Sequence, residues 1–339
     1  MASPGKALIG SQMSENTDSL LAALAAITDP SGDGDIVTRG RVIAPRLTGG
    51  TVSLMLDVTG LPSATHEPLE RQVRLAVAGI AGDREVQLAL TADRIPRKII
   101  AVGSGKGGVG KSTVAANLAV ALARAGRKIG LVDADIYGPS QPTIMGMHEK
   151  PDAAGRQLLP VTAHGVRMLS IGQLVDRNKA LAWRGPMASN ALSQLIEADW
   201  GDTEYMIVDL PPGTGDVQLS LLQRWKPAGA VVVSTPQDLS LVDAARAIDL
   251  FRKMDVPILG LIENMAGYAC PHCGEVSDPF GTGGVEAAAA QMGIHFLGRI
   301  PLVASIRSAG DAGTPTAATD GAEAALFEQL AQNIMAQLN

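Results

Sequence analysis

GSGKGGVGKST, residues 103–113, follows the apolar run KIIAV (98–102) and opens STVAANLAVALARAG (112–126), whose apolar positions recur with helical spacing. Strand, glycine-rich turn and helix in that order are the context a phosphate-binding loop requires, and Gly105, Gly110, Lys111 and Ser112 fill the pattern G-x-x-x-x-G-K-[ST]. Gly105, Gly107, Gly108, Val109 and Gly110 form a backbone that can bend until successive N–H groups point at phosphate oxygens. The helix that follows adds its positive N-terminal end. Lys111 is placed to reach the β- and γ-phosphates, the Ser112 hydroxyl to ligate Mg²⁺, and Thr113 to add a phosphate contact. An accidental glycine turn would not need this flanking pattern. The loop therefore predicts ATP and Mg²⁺ as ligands.

Outward from the loop, KIGLVDA, YMIVDLP, GAVVVSTP, PILGLIEN and IHFLGRIP are short, nearly continuous apolar runs, as expected of strands buried on both faces. GPMASNALSQLIEADW, LVDAARAIDLFRKM, VEAAAAQMG and AEAALFEQLAQNIMAQLN carry helical spacing between or after them. The alternation predicts a doubly wound α/β domain with a mostly parallel sheet over residues 98–339. Ahead of it, residues 14–93 read as a small α+β domain of helix, strand, strand, helix and strand: DSLLAALAAI, DIVTRGRVIAP, TVSLMLDV, EPLERQVRLAVAGI and EVQLALTA. TADRIPRK, with Pro96, reads as the linker.

Composition narrows the function class. The net charge of −6 disfavours a surface that grips nucleic acid, which needs clustered Lys and Arg. No apolar run is long enough to span a bilayer, and the first residues, MASPGKALIGSQMSENTDSL, carry no stretch suited to secretion. Two cysteines do not make a disulfide framework, so the expected setting is cytoplasmic, with neither nucleic acid nor membrane as partner.

Three carboxylates end apolar strands: Asp133 and Asp135 in IGLVDADIYGPSQP, and Asp209 in YMIVDLPPGTGD. The C-terminal ends of parallel strands face the crevice where open α/β sheets bind ligands. Asp135 is expected to orient the attacking or a metal-bound water, whereas Asp133 has a structural alternative, holding the turn. Both cysteines of the chain, Cys270 and Cys273, lie in GYACPHCGEV. Two buried thiols, a redox pair and a zinc site all compete for that spacing. Its turn-forming flanks argue against a buried stripe and against a redox helix. Zinc wants four ligands, and His272 between the thiols reads as a bystander.

The second lysine, Lys106, carries the chain beyond the general phosphate-loop pattern. KGGVGKST resembles the deviant Walker motif of MinD- and ParA-class ATPases. That resemblance implies a homodimer in which Lys106 reaches across to the partner's phosphates, as an arginine finger given in trans would. It also implies that Asp209 acts on Mg²⁺ through water, that PPGTGD is a switch loop, and that Asn264 of LIENMAGY meets the adenine edge, with Pro301 and Leu302 nearby. In a dimer, two CxxC loops supply the four thiolates an iron–sulfur cluster takes, [4Fe–4S] ahead of [2Fe–2S].

Taken in order, KGGVGKST, DADIYGPSQP, DLPPGTGD, ENMAGYACPHCG, FGTGG and GRIPL resemble the Mrp/ApbC-type iron–sulfur cluster carrier ATPases, and with the small domain the resemblance covers nearly the whole chain. The small domain, with ITDPSGDGDIVTRGRV, resembles a SufT-like module often fused ahead of it. DVTGLPSATHEPL lacks the cysteine that some such modules carry, so that domain is expected to dock or regulate. The implied function is an ATP-hydrolysing carrier that passes a cluster from assembly scaffolds to apo-proteins. Two other readings compete: a MinD/ParA-type positioning ATPase, with the CxxC a zinc or structural site, and an electron donor resembling nitrogenase reductase. The final helix has no Lys or Arg for a membrane surface, and the paired cysteines disfavour the electron donor.

Overall fold

The computed structural model describes residues 17–92 and 97–338, apart from 33, 156, 175–184 and 271. The expected linker around Pro96 and the first residues lie outside the described set. The chain divides into two compact units, Met1–Ile95 and Pro96–Asn339.

The first unit carries helix α1 (17–24), β1 (Val42–Leu47), β2 (Thr51–Asp57), α2 (Ser63–Ala81) and β3 (Glu85–Thr91). Its sheet runs β1-β2-β3, the first pair antiparallel and the second parallel. The period of two in TVSLMLD buries Val52, Leu54 and Leu56 against Leu69, Val73 and Val77 of α2 and Leu20 and Leu24 of α1. One expectation is corrected: DIVTRG is a turn, and strand β1 starts only at Val42. The Asp35 carboxylate takes the N–H groups of Val37 and Thr38 at 2.8 and 2.9 Å, a local alternative to a ladder.

The second unit begins with β4 (Lys98–Gly103), α3 (Lys111–Arg124), β5 (Ile129–Asp133) and the single turn α4 (Gln141–Ile144). A short hairpin of β6 (Ala153–Ala154) and β7 (Gln157–Leu158) leads to β8 (Val161–Ala163), β9 (Val166–Ser170), α5 (Ile171–Leu174) and α6 (Gly185–Ile196). Then come β10 (Tyr205–Asp209), α7 (Asp216–Trp225), β11 (Gly229–Ser234), α8 (Asp238–Lys253) and β12 (Ile258–Asn264). A second small hairpin, β13 (Tyr268–Ala269) and β14 (Val276–Ser277), precedes α9 (Gly284–Met292), β15 (Phe296–Ile300), α10 (Ala304–Asp311) and α11 (Ala322–Gln337).

The main sheet has the order β15-β12-β11-β4-β10-β5-β9-β8, and every pair is parallel except β8 with β9. Alternate residues of each strand feed two layers: Ile100 and Val102 pack with α3 and α11, Ile99 and Ala101 with α6, α7, α8 and α9. That is a doubly wound α/β sheet, with the carboxyl ends of β4, β5 and β10 side by side. The edge hairpin β8–β9 is absent from the sequence reading. It turns at His164–Gly165, whose φ angles of 51° and 75° match the positive-φ turn that right-twisted hairpins favour.

Candidate functional site

The loop between β4 and α3 lines a cavity of about 290 Å³ with Lys106, Lys111, Ser112, Thr113, Asp135 and Pro212 on its walls. Two glycines are required by contact. At Gly105 a Cβ would lie 2.0 Å from the carbonyl carbon of Asp243, because the backbone of α8 rests on the loop there. At Gly110, with φ of 81°, a Cβ would fall 2.2 Å from Nδ2 of Asn264. Gly107 and Gly108 are exposed on the loop, open to the cavity they border.

Beneath the loop the charged groups are dry. Lys111 Nζ donates to Asp209 Oδ1, and both side chains are buried. Gln141 Nε2 donates to the other Asp209 oxygen at 2.9 Å and to the Ser112 carbonyl at 2.9 Å. Both of those atoms are acceptors, so they dictate which way the Gln141 amide points. Its Oε1 is then buried with no partner among the described residues. An orphaned acceptor beside Ser112 and Asp209 fits a site that takes a hydrated divalent cation, whose waters donate hydrogen bonds. Ser112, Asp209 and Gln141 would hold Mg²⁺ there, and the ion would supply charge neutralisation at the phosphates.

The two aspartates of the β5 end divide their roles. Asp133 is fully buried and accepts from Ser170 Oγ at 2.9 Å, from Gln141 N at 3.1 Å and from Asp135 N at 3.2 Å. Burial, then the negative charge of Asp209, pushes its carboxyl up to about 7. Asp133 therefore organises the turn and does not reach the cavity. Asp135 does line it, with Oδ1 taking the N–H groups of Tyr137 and Gly138 at 3.1 Å each.

Lys106 lies on the loop with Nζ 3.4 Å from Oε1 of Gln237, the residue capping α8. Asn264 is buried at the end of β12 and donates from Nδ2 to the Val109 carbonyl at 2.7 Å, so it grips the phosphate loop itself. The sequence reading missed Gln141, Ser170 and Gln237. Gln141 had a signal, a polar amide opening a helix beside Pro142 in the aspartate-rich segment; the other two had none.

Cys270 and Cys273 stand apart from the cavity, at the tip of the β13–β14 hairpin, where Ala269 pairs with Val276. Cys270 N donates to the Glu275 carbonyl at 2.9 Å and Gly274 N to the Cys270 carbonyl at 2.8 Å, closing a tight knuckle. Both thiols are free, Cys270 half-buried and Cys273 exposed. The N–H groups of His272 and Cys273 aim at the Cys270 sulfur and, with the Cys273 thiol, hold its pKa below the usual thiol value. Among the described residues no three His, Cys, Asp or Glu side chains come together to hold a metal, so the pair of thiols has no third ligand among them. No helix among the described residues is long and apolar enough to cross a membrane.

These features have close counterparts. Residues 96–336 match the family described as NUBPL iron-transfer P-loop NTPase, and residues 17–88 match one described as iron-sulfur cluster assembly protein. An iron-sulfur cluster carrier protein of Deinococcus radiodurans is 44% identical over 310 residues, which is 88% of each chain. A nucleotide-binding protein from Archaeoglobus fulgidus, solved with ADP, is 40% identical with a TM-score of 0.56 over 64% of this chain and 86% of that one. The cell division ATPase MinD of Pyrococcus furiosus is 25% identical with a TM-score of 0.54, over 70% of this chain and 98% of its own. With a phosphate loop, its buried lysine–aspartate pair and a matched span that takes in the whole main sheet, this chain belongs to the NUBPL iron-transfer P-loop NTPases.

Proposed function

We propose that the protein is a homodimeric ATPase that carries an iron–sulfur cluster on a CxxC pair from each chain and passes it to apo-proteins. The observation that carries the proposal is the hairpin tip: two thiols, one exposed and one half-buried, with no third ligand beside them among the described residues. Half a ligand set at a surface calls for a second copy, and two copies give the four thiolates of a [4Fe–4S] cluster. A cluster held by few protein bonds at an interface suits transfer. Two free thiols, one of them exposed, also suit a reducing, cytoplasmic setting.

In this reading the nucleotide is ATP with Mg²⁺. Lys111 would leave Asp209 for the β- and γ-phosphates, Ser112, Asp209 and Gln141 would hold the metal and its waters, and Asp135 would orient the attacking water. Lys106 acts in trans, neutralising charge that develops on the partner's phosphates. ATP turnover changes how the two chains face each other and so how firmly the cluster is kept. The first unit docks scaffolds or recipients.

Anaerobic reconstitution with iron and sulfide tests this. About four irons and four sulfides per two chains are expected, lost in Cys270→Ser and in Cys273→Ser while nucleotide binding persists. Stoichiometric zinc without iron would overturn the carrier reading and make the hairpin a structural clasp.

A further inference from the structure

Two consecutive residues at the end of β12 grip the phosphate loop on one side and the return arm of the thiol hairpin on the other. Successive side chains of a strand point to opposite faces. Asn264 turns to the loop and donates to the Val109 carbonyl at 2.7 Å. Glu263, fully buried, turns the other way and accepts from Gly283 N at 3.1 Å and Val285 N at 2.9 Å, where the chain returns from the hairpin into α9. Arg299 of β15 completes that carboxylate through Nε at 2.9 Å.

The outgoing arm is anchored as well. Met265 and Gly267 have φ of 60° and 76°, a sharp joint in which Met265 adopts a conformation unusual for a side-chain-bearing residue. Ala266 N donates to the Ile300 carbonyl at 3.0 Å, and Leu302 N to the Gly267 carbonyl at 2.8 Å. Beyond these anchors the hairpin is exposed from His272 to Pro279. Its base is fixed and its tip is open.

The Val109 carbonyl and the Gly110 N–H belong to one planar peptide unit. A phosphate that draws the Gly110 N–H toward itself turns that plane, and with it the oxygen that Asn264 holds. We propose that Asn264 is a positioning residue that couples occupancy of the phosphate loop to the thiol hairpin, with Glu263 as the anchor that makes the hairpin follow. This rests on the carrier reading for its purpose, but the coupling itself is a property of the cluster-free chain.

The test uses the reduced full-length protein without cluster. Cys270 and Cys273 are its only thiols, so their rate of modification by an aromatic disulfide reports on the hairpin alone. Mg-ADP is the probe, since it lacks the γ-phosphate that a trans lysine would reach, and sedimentation confirms that the oligomeric state does not change. Saturating Mg-ADP is expected to change the wild-type rate by about fivefold, the population shift one buried hydrogen bond can drive. In Asn264→Ala, at ADP concentrations saturating for that variant, the rate is expected to be the same with and without nucleotide. Asn264→Asp keeps the shape and removes the donor, and gives the same readout should the alanine variant not fold. An unchanged wild-type rate, or an ADP response that survives in the variants, overturns the proposal. A chain that shows the response yet fails to load iron and sulfide would instead overturn the carrier reading and leave the coupling standing.

Discussion

Replacing Lys111 with Met keeps the length of the side chain and removes its charge and donors. The usual expectation for a phosphate-loop lysine is lost hydrolysis with an intact fold. Here the pairing of Lys111 with Asp209 adds a cost in stability. Among the described residues Lys111 is the one cation bonded to Asp209, both side chains are buried, and the charge of Asp209 adds to burial in raising the pKa of Asp133. Without the lysine, Asp209 is an uncompensated buried charge, which costs about 3–5 kcal/mol. For a unit of this size that lowers the melting temperature by about 6–20 °C, at 2–4 °C per kcal/mol. All three tryptophans, Trp183, Trp200 and Trp225, lie in the second unit, so their emission follows its unfolding separately from the first. The measurement is thermal and urea unfolding in EDTA without nucleotide. Asp209→Asn in the same chain should recover most of the loss, leaving the lysine change with a cost under about 1 kcal/mol, as expected when both partners of a buried pair are made neutral. A Lys111→Met protein within about 1 kcal/mol of wild type, or one that loses as much in the Asp209→Asn background, would refute the reasoning.

Two further outcomes follow from the same site. Gly105→Ala puts a Cβ 2.0 Å from the Asp243 carbonyl carbon and 2.6 Å from Ala244 N, and backbone cannot rotate away. It should destabilise the second unit by about 1–3 kcal/mol and weaken ADP binding, whereas Gly107→Ala, with nothing nearer than 3.9 Å, should fold like wild type; equal melting of the two variants would contradict the seating of α8 on the loop. Asp133, raised to about 7 from a reference of 3.8, holds its proton more tightly folded than unfolded. Its stabilising contribution is therefore complete below about pH 4 and is lost as pH rises through 7, at up to about 1.4 kcal/mol per pH unit. Urea unfolding from pH 5 to 8 should show wild type losing stability relative to Asp133→Asn over that window, and a difference that does not vary with pH would remove the burial argument.

Much of the fold was legible in local pattern. Continuous apolar runs mark the inner strands because a parallel sheet covered on both faces has no polar side to show. The edge hairpin β8–β9 was not legible, since VTAHGVRMLS mixes exposed and buried positions and its strand state depends on pairing with β5. DIVTRG looked β-branched enough for a strand, yet a single carboxylate, Asp35, turns it through two short hydrogen bonds.

At the site, the order of residues alone specified the phosphate loop, because its chemistry is carried by neighbouring backbone N–H groups and the two side chains that follow them. The pair of thiols at the hairpin tip was specified in the same way, by its spacing. What the chain does with distant partners was decided by the tertiary structure. Asp133 and Asp135 look equivalent in DAD, but β5 ends at Asp133, so the first is packed into a dry pocket with Ser170 while the second lies in the turn beyond the strand and lines the cavity. Asn264 stands 154 positions after Gly110 in the chain and touches it only because β12 ends beside the loop. Gln141 acquires its place from Asp209 and the Ser112 carbonyl, two acceptors brought together by parallel strands. Local signals survive in a sequence because they need only neighbours; burial, charge pairing and the joining of two sites need the sheet to be assembled first.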